Sequence, residues 1–325
     1  MQGSNRLGNG RYIVDRVFAD SGGMGVIYDA RDERCAHNRV LIKTTRYDGG
    51  ENARRFAYTA DEAASHVNTL RGILTWEKKV LVRFKRERLN NIPSINDFFV
   101  DRSMLLKPSY DGKHGSYDLD PDLLDTEPYL VMERIHGDTL EGTIASGKMA
   151  NRLEIRMLHL AKEMLTIFIR MHRRFEINGQ EAYFIYQDLK PANILVSGAD
   201  YFTLIDLGGV TLKLGDKTTE PTAGLITYGY APPEAEFEGG VRIDHRFDLF
   251  SLGATLWHVF TGQDPRELPG NFPRLDASRC ARVVSQSTVD ILGRALEPDP
   301  DKRYGHAAEM RKDVMTALRA AGEVV

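Results

Sequence analysis

The stretch Tyr186-Gln187-Asp188-Leu189-Lys190-Pro191-Ala192-Asn193-Ile194-Leu195-Val196 limits what this chain can become more than any other. An acid, a cation two residues on and a carboxamide five residues on share one short loop, which Pro191 stiffens. The apolar run Ile194-Leu195-Val196 reads as a strand that anchors the loop. Asp206 follows the run Phe202-Thr203-Leu204-Ile205 and precedes Leu207-Gly208-Gly209. Strand, tight loop and second strand ending in Asp-x-Gly predict two carboxylates and an amide at one edge. Such a set can hold a divalent cation through oxygen and still leave one carboxylate to take a proton.

Asp-Leu-Lys-Pro-Ala-Asn followed by Asp-Leu-Gly resembles the catalytic and metal-binding loops of the Ser/Thr protein kinases, most of all the bacterial eukaryotic-type (Hanks-type) kinases. Taken alone, the first loop is also similar to that of small-molecule phosphotransferases. Three later motifs favour a protein kinase. Thr227-Tyr228-Gly229-Tyr230-Ala231-Pro232-Pro233-Glu234 resembles the peptide-docking segment ending in Ala-Pro-Glu. Asp248-Leu249-Phe250-Ser251-Leu252-Gly253 resembles the buried helix whose aspartate braces the catalytic loop. Glu297 to Arg303 resembles the site of the arginine that pairs with the Ala-Pro-Glu glutamate, here Glu234.

The resemblance implies an α+β, bilobed protein-kinase-like fold over about residues 11–318. The expected N-lobe is 1–134, β-rich with one long helix and inserts at about 44–72 and 101–127. The mainly helical C-lobe is 135–325. It further implies transfer of the γ-phosphoryl group of ATP, with Mg2+, to Ser or Thr of a protein. Asp188 would orient the acceptor hydroxyl and take its proton, Lys190 would steady the migrating group, and Asn193 and Asp206 would ligate the metal. Lys190 and Thr227 together favour Ser/Thr over Tyr as acceptor. Thr211, Thr218, Thr219 and Thr222 are candidate autophosphorylation sites.

Read from the N-terminus, Tyr12 through Phe18 and Val26-Ile27-Tyr28 are strands flanking Asp20-Ser21-Gly22-Gly23-Met24-Gly25. Glycines there let backbone N–H groups approach phosphate oxygens. The loop resembles the kinase Gly-x-Gly-x-x-Gly loop, with Gly22, Gly23, Gly25 and the following Ile27 toward nucleotide, although Asp20 takes the first glycine's place. Val40-Leu41-Ile42-Lys43 resembles the kinase Val-Ala-Ile-Lys strand, which makes Lys43 the phosphate-gripping lysine. Phe56, Ala60, Ala63, Val67, Leu70, Leu74 and Leu81 form a helical stripe. Glu77 falls on it, and a carboxylate in an apolar face needs a partner, so Glu77 is the expected mate of Lys43, ahead of Glu62 and Glu87. Gly72 is expected to break that helix in two.

The polar stretch from Asp101 to Glu127 reads as a long hairpin loop without chemistry. By resemblance Met132 lies beside the adenine, and backbone groups of Glu133 and Ile135 meet the base edge. Residues 152–174 read as a core helix whose methionines need no cofactor. Tyr186 and Gln187 replace the usual His-Arg before the catalytic aspartate. Tyr186 can still pack on Leu207 and donate a hydrogen bond. Gln187 brings no cation for an activation-loop phosphate, so no switch through residue 187 is expected.

Net charge −3 gives no reason to expect nucleic acid, and Cys35 and Cys280, the two cysteines, are far apart. With no apolar run of 18 residues, a reducing, cytoplasmic setting is the expectation. A second class stays open: a pseudokinase-like binding module that docks a partner through its inserts, supported by Asp20 and the Tyr-Gln pair. A small-molecule kinase is the third.

Overall fold

The computed structural model describes residues 5–19, 25–35, 38–46, 60–105, 109–112, 115–118, 120–147, 152–198, 201–215, 217–219, 226–236 and 243–324. Asp20, Gly22, Gly23 and Thr222 lie outside the described residues. The chain divides into two units, Met1–Arg88 with Pro93–Ile135, and Leu89–Ile92 with His136–Val325.

The first unit is an antiparallel sheet in the order β1-β2-β3-β4-β8-β5. Its strands are β1 Arg6–Leu7, β2 Tyr12–Ala19, β3 Gly25–Asp32, β4 Asn38–Thr45, β5 Ile95–Asp101 and β8 Glu127–Glu133. Val14, Val26, Tyr28, Val40, Ile42 and Val131 alternate along their strands onto one buried face. The sheet curls until its edges approach: the Gly8 amide, just past β1, donates to Asp101 at the end of β5, at 2.8 Å. Inside the curl the rings of Tyr12, Phe99 and Tyr129 stack at 5.5 and 5.4 Å. Between β5 and β8 lie a small hairpin, β6 Ser109–Gly112 with β7 Gly115–Asp118, and the short helix α2 Pro121–Leu124.

One helix packs on this sheet, α1 Ala60–Arg86. Ala63, Val67, Leu70, Leu74, Leu81 and Phe84 are its buried stripe. The expected break at Gly72 does not occur. Gly72 is exposed and a Cβ there would meet nothing within 4 Å. A solvent-facing glycine costs a helix about 1 kcal/mol, too little to interrupt so long an apolar stripe.

The second unit is mainly helical, with α3 Leu140–Ala145, α4 Leu153–Met171, α5 Arg246–Thr261, α6 Gln286–Ala295 and α7 Ala307–Ala320. Phe247 to Phe260 of α5 are all buried, so this helix is apolar on every side and lies at the centre of its unit. Three-stranded β13-β12-β9 and four-stranded β10-β11-β14-β15 sheets carry the loops of interest. They comprise β9 Asp138–Thr139, β10 Phe175–Ile177, β11 Gln180–Ile185, β12 Ile194–Ser197, β13 Tyr201–Leu204, β14 Thr211–Leu214 and β15 Lys217–Thr219. β10 and β11 turn on Asn178-Gly179, both left-handed (φ 49° and 75°), which suits a two-residue hairpin. No described helix is long and apolar enough to cross a membrane.

Candidate active site

In the first unit, β4 is paired on both sides, with Ile27 of β3 and Leu130 of β8 opposite Lys43. Strand alternation turns Lys43 away from the face that buries Ile42. Its Nζ lies 2.8 Å from Glu77 Oε2, and the glutamate side chain is 2% exposed. The helical period that puts Leu74 and Leu81 on the sheet puts Glu77 between them, and the lysine supplies the partner that a buried carboxylate requires. Glu87, by contrast, pairs with Arg83. At Gly25 a Cβ would stand 3.2 Å from Lys43 Cε and 3.0 Å from the Thr44 carbonyl, so the lysine stem runs where any larger residue would press on it.

Met132 is buried near the end of β8, and Ile135 is half-buried just beyond it. The Glu133 amide donates to the Ser94 carbonyl at 3.0 Å, and its carboxylate accepts the Ser94 amide at 2.8 Å. Any contact of Glu133 with a base edge therefore falls to its carbonyl.

The residues from Asp101 to Glu127 do not end as an inert loop. Glu127 opens β8, is 1% exposed and accepts a two-nitrogen fork from Arg71 of α1 at 2.8 and 3.1 Å. Its other oxygen accepts the hydroxyls of Thr44 and Thr45 at 2.5 and 2.7 Å. Burial pushes this carboxyl above the usual range, and the threonine bonds pull it back. Arg71 sits in the apolar stripe between Val67 and Leu74, the same signal that singles out Glu77.

In the second unit, the loop before Asp188 hangs from Asp248 of α5. Its oxygens accept the amides of Tyr186 at 2.9 Å and Gln187 at 2.8 Å, and His172 Nε2 lies 2.8 Å away. Gln187 is left-handed (φ 65°), a conformation costly without glycine and fixed here by that carboxylate. The Tyr186 hydroxyl is shared between the carbonyls of Ile205 at 2.7 Å and Asp206 at 2.9 Å. Asp206 is itself left-handed (φ 59°).

Asp188 is the hub. Its Oδ1 accepts the Thr227 hydroxyl at 2.6 Å, and both its oxygens lie 2.9 Å from Lys190 Nζ. Lys190 also donates to Thr227 at 2.8 Å. Asn193 Nδ2 donates to Asp188 Oδ2 and to its carbonyl, each at 2.8 Å. Asp206 is tied to the same loop through the Ile205 amide, which donates to the Asn193 carbonyl at 2.9 Å. Burial raises the Asp188 carboxyl above its ordinary range, Lys190 and Thr227 counter this, and the nearby Asp206 charge adds to it. A Cβ on Gly209 would stand 3.2 Å from Asp188 Cβ, so the second glycine after Asp206 makes room for the carboxylate.

The sequence had linked Thr227 only to acceptor preference, and Gly209 to nothing. Both contacts cross long sequence separations that no local spacing reveals. Further along, Arg303 grips Glu234 with two nitrogens at 2.7 and 2.8 Å, both side chains buried.

The family model described as protein kinase domain matches residues 116–315. The chain is 29% identical to a probable serine/threonine-protein kinase of Streptomyces coelicolor, over 98% of this chain and 41% of that protein. It is 28% identical to serine/threonine-protein kinase PknB of Mycobacterium tuberculosis, over 94% of this chain and 42% of the relative. Identity with serine/threonine-protein kinase F of Synechocystis is 31%, over 93% and 54%. The chain thus spans between two fifths and just over half the length of these curated relatives.

Proposed function

Because this chain belongs to the protein kinase domain family, we propose that it is a serine/threonine protein kinase, moving the γ-phosphoryl group of ATP to a Ser or Thr hydroxyl of a protein. The observation that carries the proposal is the largely buried Asp188 carboxylate held by Lys190, Thr227 and Asn193. The printed names of the relatives support the choice of Ser/Thr.

Asp188 accepts the proton of the acceptor hydroxyl as its oxygen attacks the γ-phosphorus, and ADP leaves. Lys190 keeps positive charge beside the transferred group, and Thr227 holds both side chains in register. Catalysis comes from positioning and charge neutralisation, with no covalent enzyme intermediate. Lys43, oriented by Glu77, takes the nucleotide phosphates. Gly22, Gly23 and Gly25 of the glycine-rich stretch and Ile27 of β3 are assigned to nucleotide binding, and Met132, Glu133 and Ile135 to the adenine.

The donor chemistry fits a divalent cation. The Asn193 amide nitrogen is spent on Asp188, so its carboxamide oxygen would serve, with the Asp206 carboxylate, to hold the cation. These are hard oxygen donors, suited to Mg2+. Mg2+ bound there supplies charge neutralisation of the phosphates.

The test is transfer from γ-labelled ATP to a generic basic protein and to the chain itself, with phosphoamino-acid analysis. Label is expected on Ser and Thr, and Asp188→Asn is expected to lower transfer by about 100- to 10,000-fold. Equal transfer by wild type and variant overturns the proposal. So does labelling of a small metabolite but no protein, and nucleotide binding without any transfer returns the binding-module alternative.

A further inference from the structure

Among the described residues, the ion pairs Glu77–Lys43 and Arg71–Glu127 fasten α1 to the sheet of the first unit, and the proposed chemistry uses only the former. Glu77 meets Lys43. Six residues earlier, about 9 Å along the helix axis, Arg71 meets Glu127. The two pairs converge on one strand. Glu127 accepts from Thr44 and Thr45, the residues that directly follow Lys43 on β4. A closed circuit results: Lys43 to Thr44 and Thr45 along the strand, across to Glu127, to Arg71, down α1 to Glu77, and back to Lys43.

Arg71 is also anchored to the segment leading into β8. Its Nη1 donates to the Thr126 hydroxyl at 2.9 Å, and its Nη2 to the Leu123 carbonyl at 2.6 Å. A buried ion pair is a weak source of net stability, since desolvation consumes most of its attraction. What a forked arginine with four acceptor contacts supplies is geometry. The apolar stripe of Leu70, Leu74 and Leu81 tolerates a small slide or roll of the helix, because dispersion contacts are undirected. The guanidinium fork does not tolerate it. It fixes the height and rotation of α1, and so the position of the Glu77 carboxylate.

We infer that Arg71 is a positioning residue, whose buried pair with Glu127 sets α1 in the register that keeps Glu77 on Lys43. This rests on the proposed kinase activity for its kinetic consequence, though not for its structural one. Gln187 offers no cation for a phosphate-driven lock, whereas the Arg71–Glu127 pair lies in the unit that carries Lys43.

The test is a double-mutant cycle on the full chain, with Arg71→Leu, Glu77→Gln and the pair. Arg71→Leu is expected to lower kcat/KM for ATP about tenfold in the wild-type background and by less than about twofold when Glu77 is already Gln, because the arginine acts only through that glutamate. The loss of thermal stability should be the same in both backgrounds. Amide hydrogen exchange over residues 72–82 should quicken in Arg71→Leu relative to the α5 core. Should the leucine variant not fold, Arg71→Lys keeps the charge, loses the fork and takes its place in the cycle, with a smaller effect of the same pattern. Equal kinetic losses in both backgrounds overturn the inference, and so does unchanged exchange over 72–82. If the wild-type chain transfers no phosphate, the proposed function fails by itself and the exchange measurement alone decides the inference.

Discussion

Several charges in this protein are held by partners that the sequence places far away. Asp32 accepts the Arg11 Nε and Nη2 at 3.0 and 2.6 Å, and a further nitrogen of the same guanidinium reaches Asp97 at 2.8 Å. The bond to Arg11 holds the Asp32 carboxyl below its ordinary range. A depressed carboxyl contributes stability that is complete above the unfolded value near 3.9 and is lost as pH falls through the folded one. Asp32→Asn is therefore expected to unfold at lower urea than wild type at pH 7, with the gap closing below about pH 4. Urea midpoints measured at stepped pH check this, and a gap constant with pH contradicts it. At the same scale, Glu77 and Arg71 carry one lesson. Each is a charge inside an apolar helical stripe, and each proves to have a buried counter-charge. Glu77 was legible because a strand lysine was already waiting for it. Arg71 was not, since its partner Glu127 closes a stretch whose polar composition reads as plain loop.

Among the elements, the sequence pattern made α1, α4 and the strands β2, β3, β4, β8 and β12 legible, because burial on one face is a property of the sequence itself. The uninterrupted run of α1 through Gly72 was not, since nothing in the sequence tells which way a glycine faces. Gly229 shows the same limit in the peptide-docking segment. It is left-handed (φ 87°), and a Cβ there would come within 2.7 Å of the Pro265 carbonyl carbon. Its proximity to Pro265 is a tertiary fact invisible in the run Thr227 to Glu234. That segment is tied at its far end by Glu234 and Arg303, 69 residues apart. Glu234→Gln or Arg303→Met removes one member of a buried, forked pair, and each is expected to cost about 3–5 kcal/mol in chemical denaturation. A loss under about 1 kcal/mol would mean that the pair behaves as an exposed one.

For the whole molecule, the proposed chemistry draws on a lysine–glutamate pair described in one unit and an aspartate hub described in the other. The family model begins at residue 116, past Lys43 and Glu77, whereas the relatives named above match over more than nine tenths of the chain. Because Gln187 lacks the cation that would read a loop phosphate, the proposed activity should not depend on a phosphate switch acting through residue 187. Phosphatase-treated chain is expected to keep its kcat/KM within about twofold of untreated chain. A many-fold loss on treatment that disappears in a Gln187→Ala chain would reverse that view.

The pairing of β15 has a kinetic consequence. Thr218 and Thr219 stand opposite Lys213 and Leu212, their backbone zipped into the edge of the β10-β11-β14-β15 sheet. A segment whose backbone is committed to a sheet cannot be laid out as an acceptor along another molecule until the strand peels off. Self-modification at these threonines would then run at the pace of edge fraying, well behind modification of an unstructured peptide, and a phosphate left there would report how often the hairpin opens.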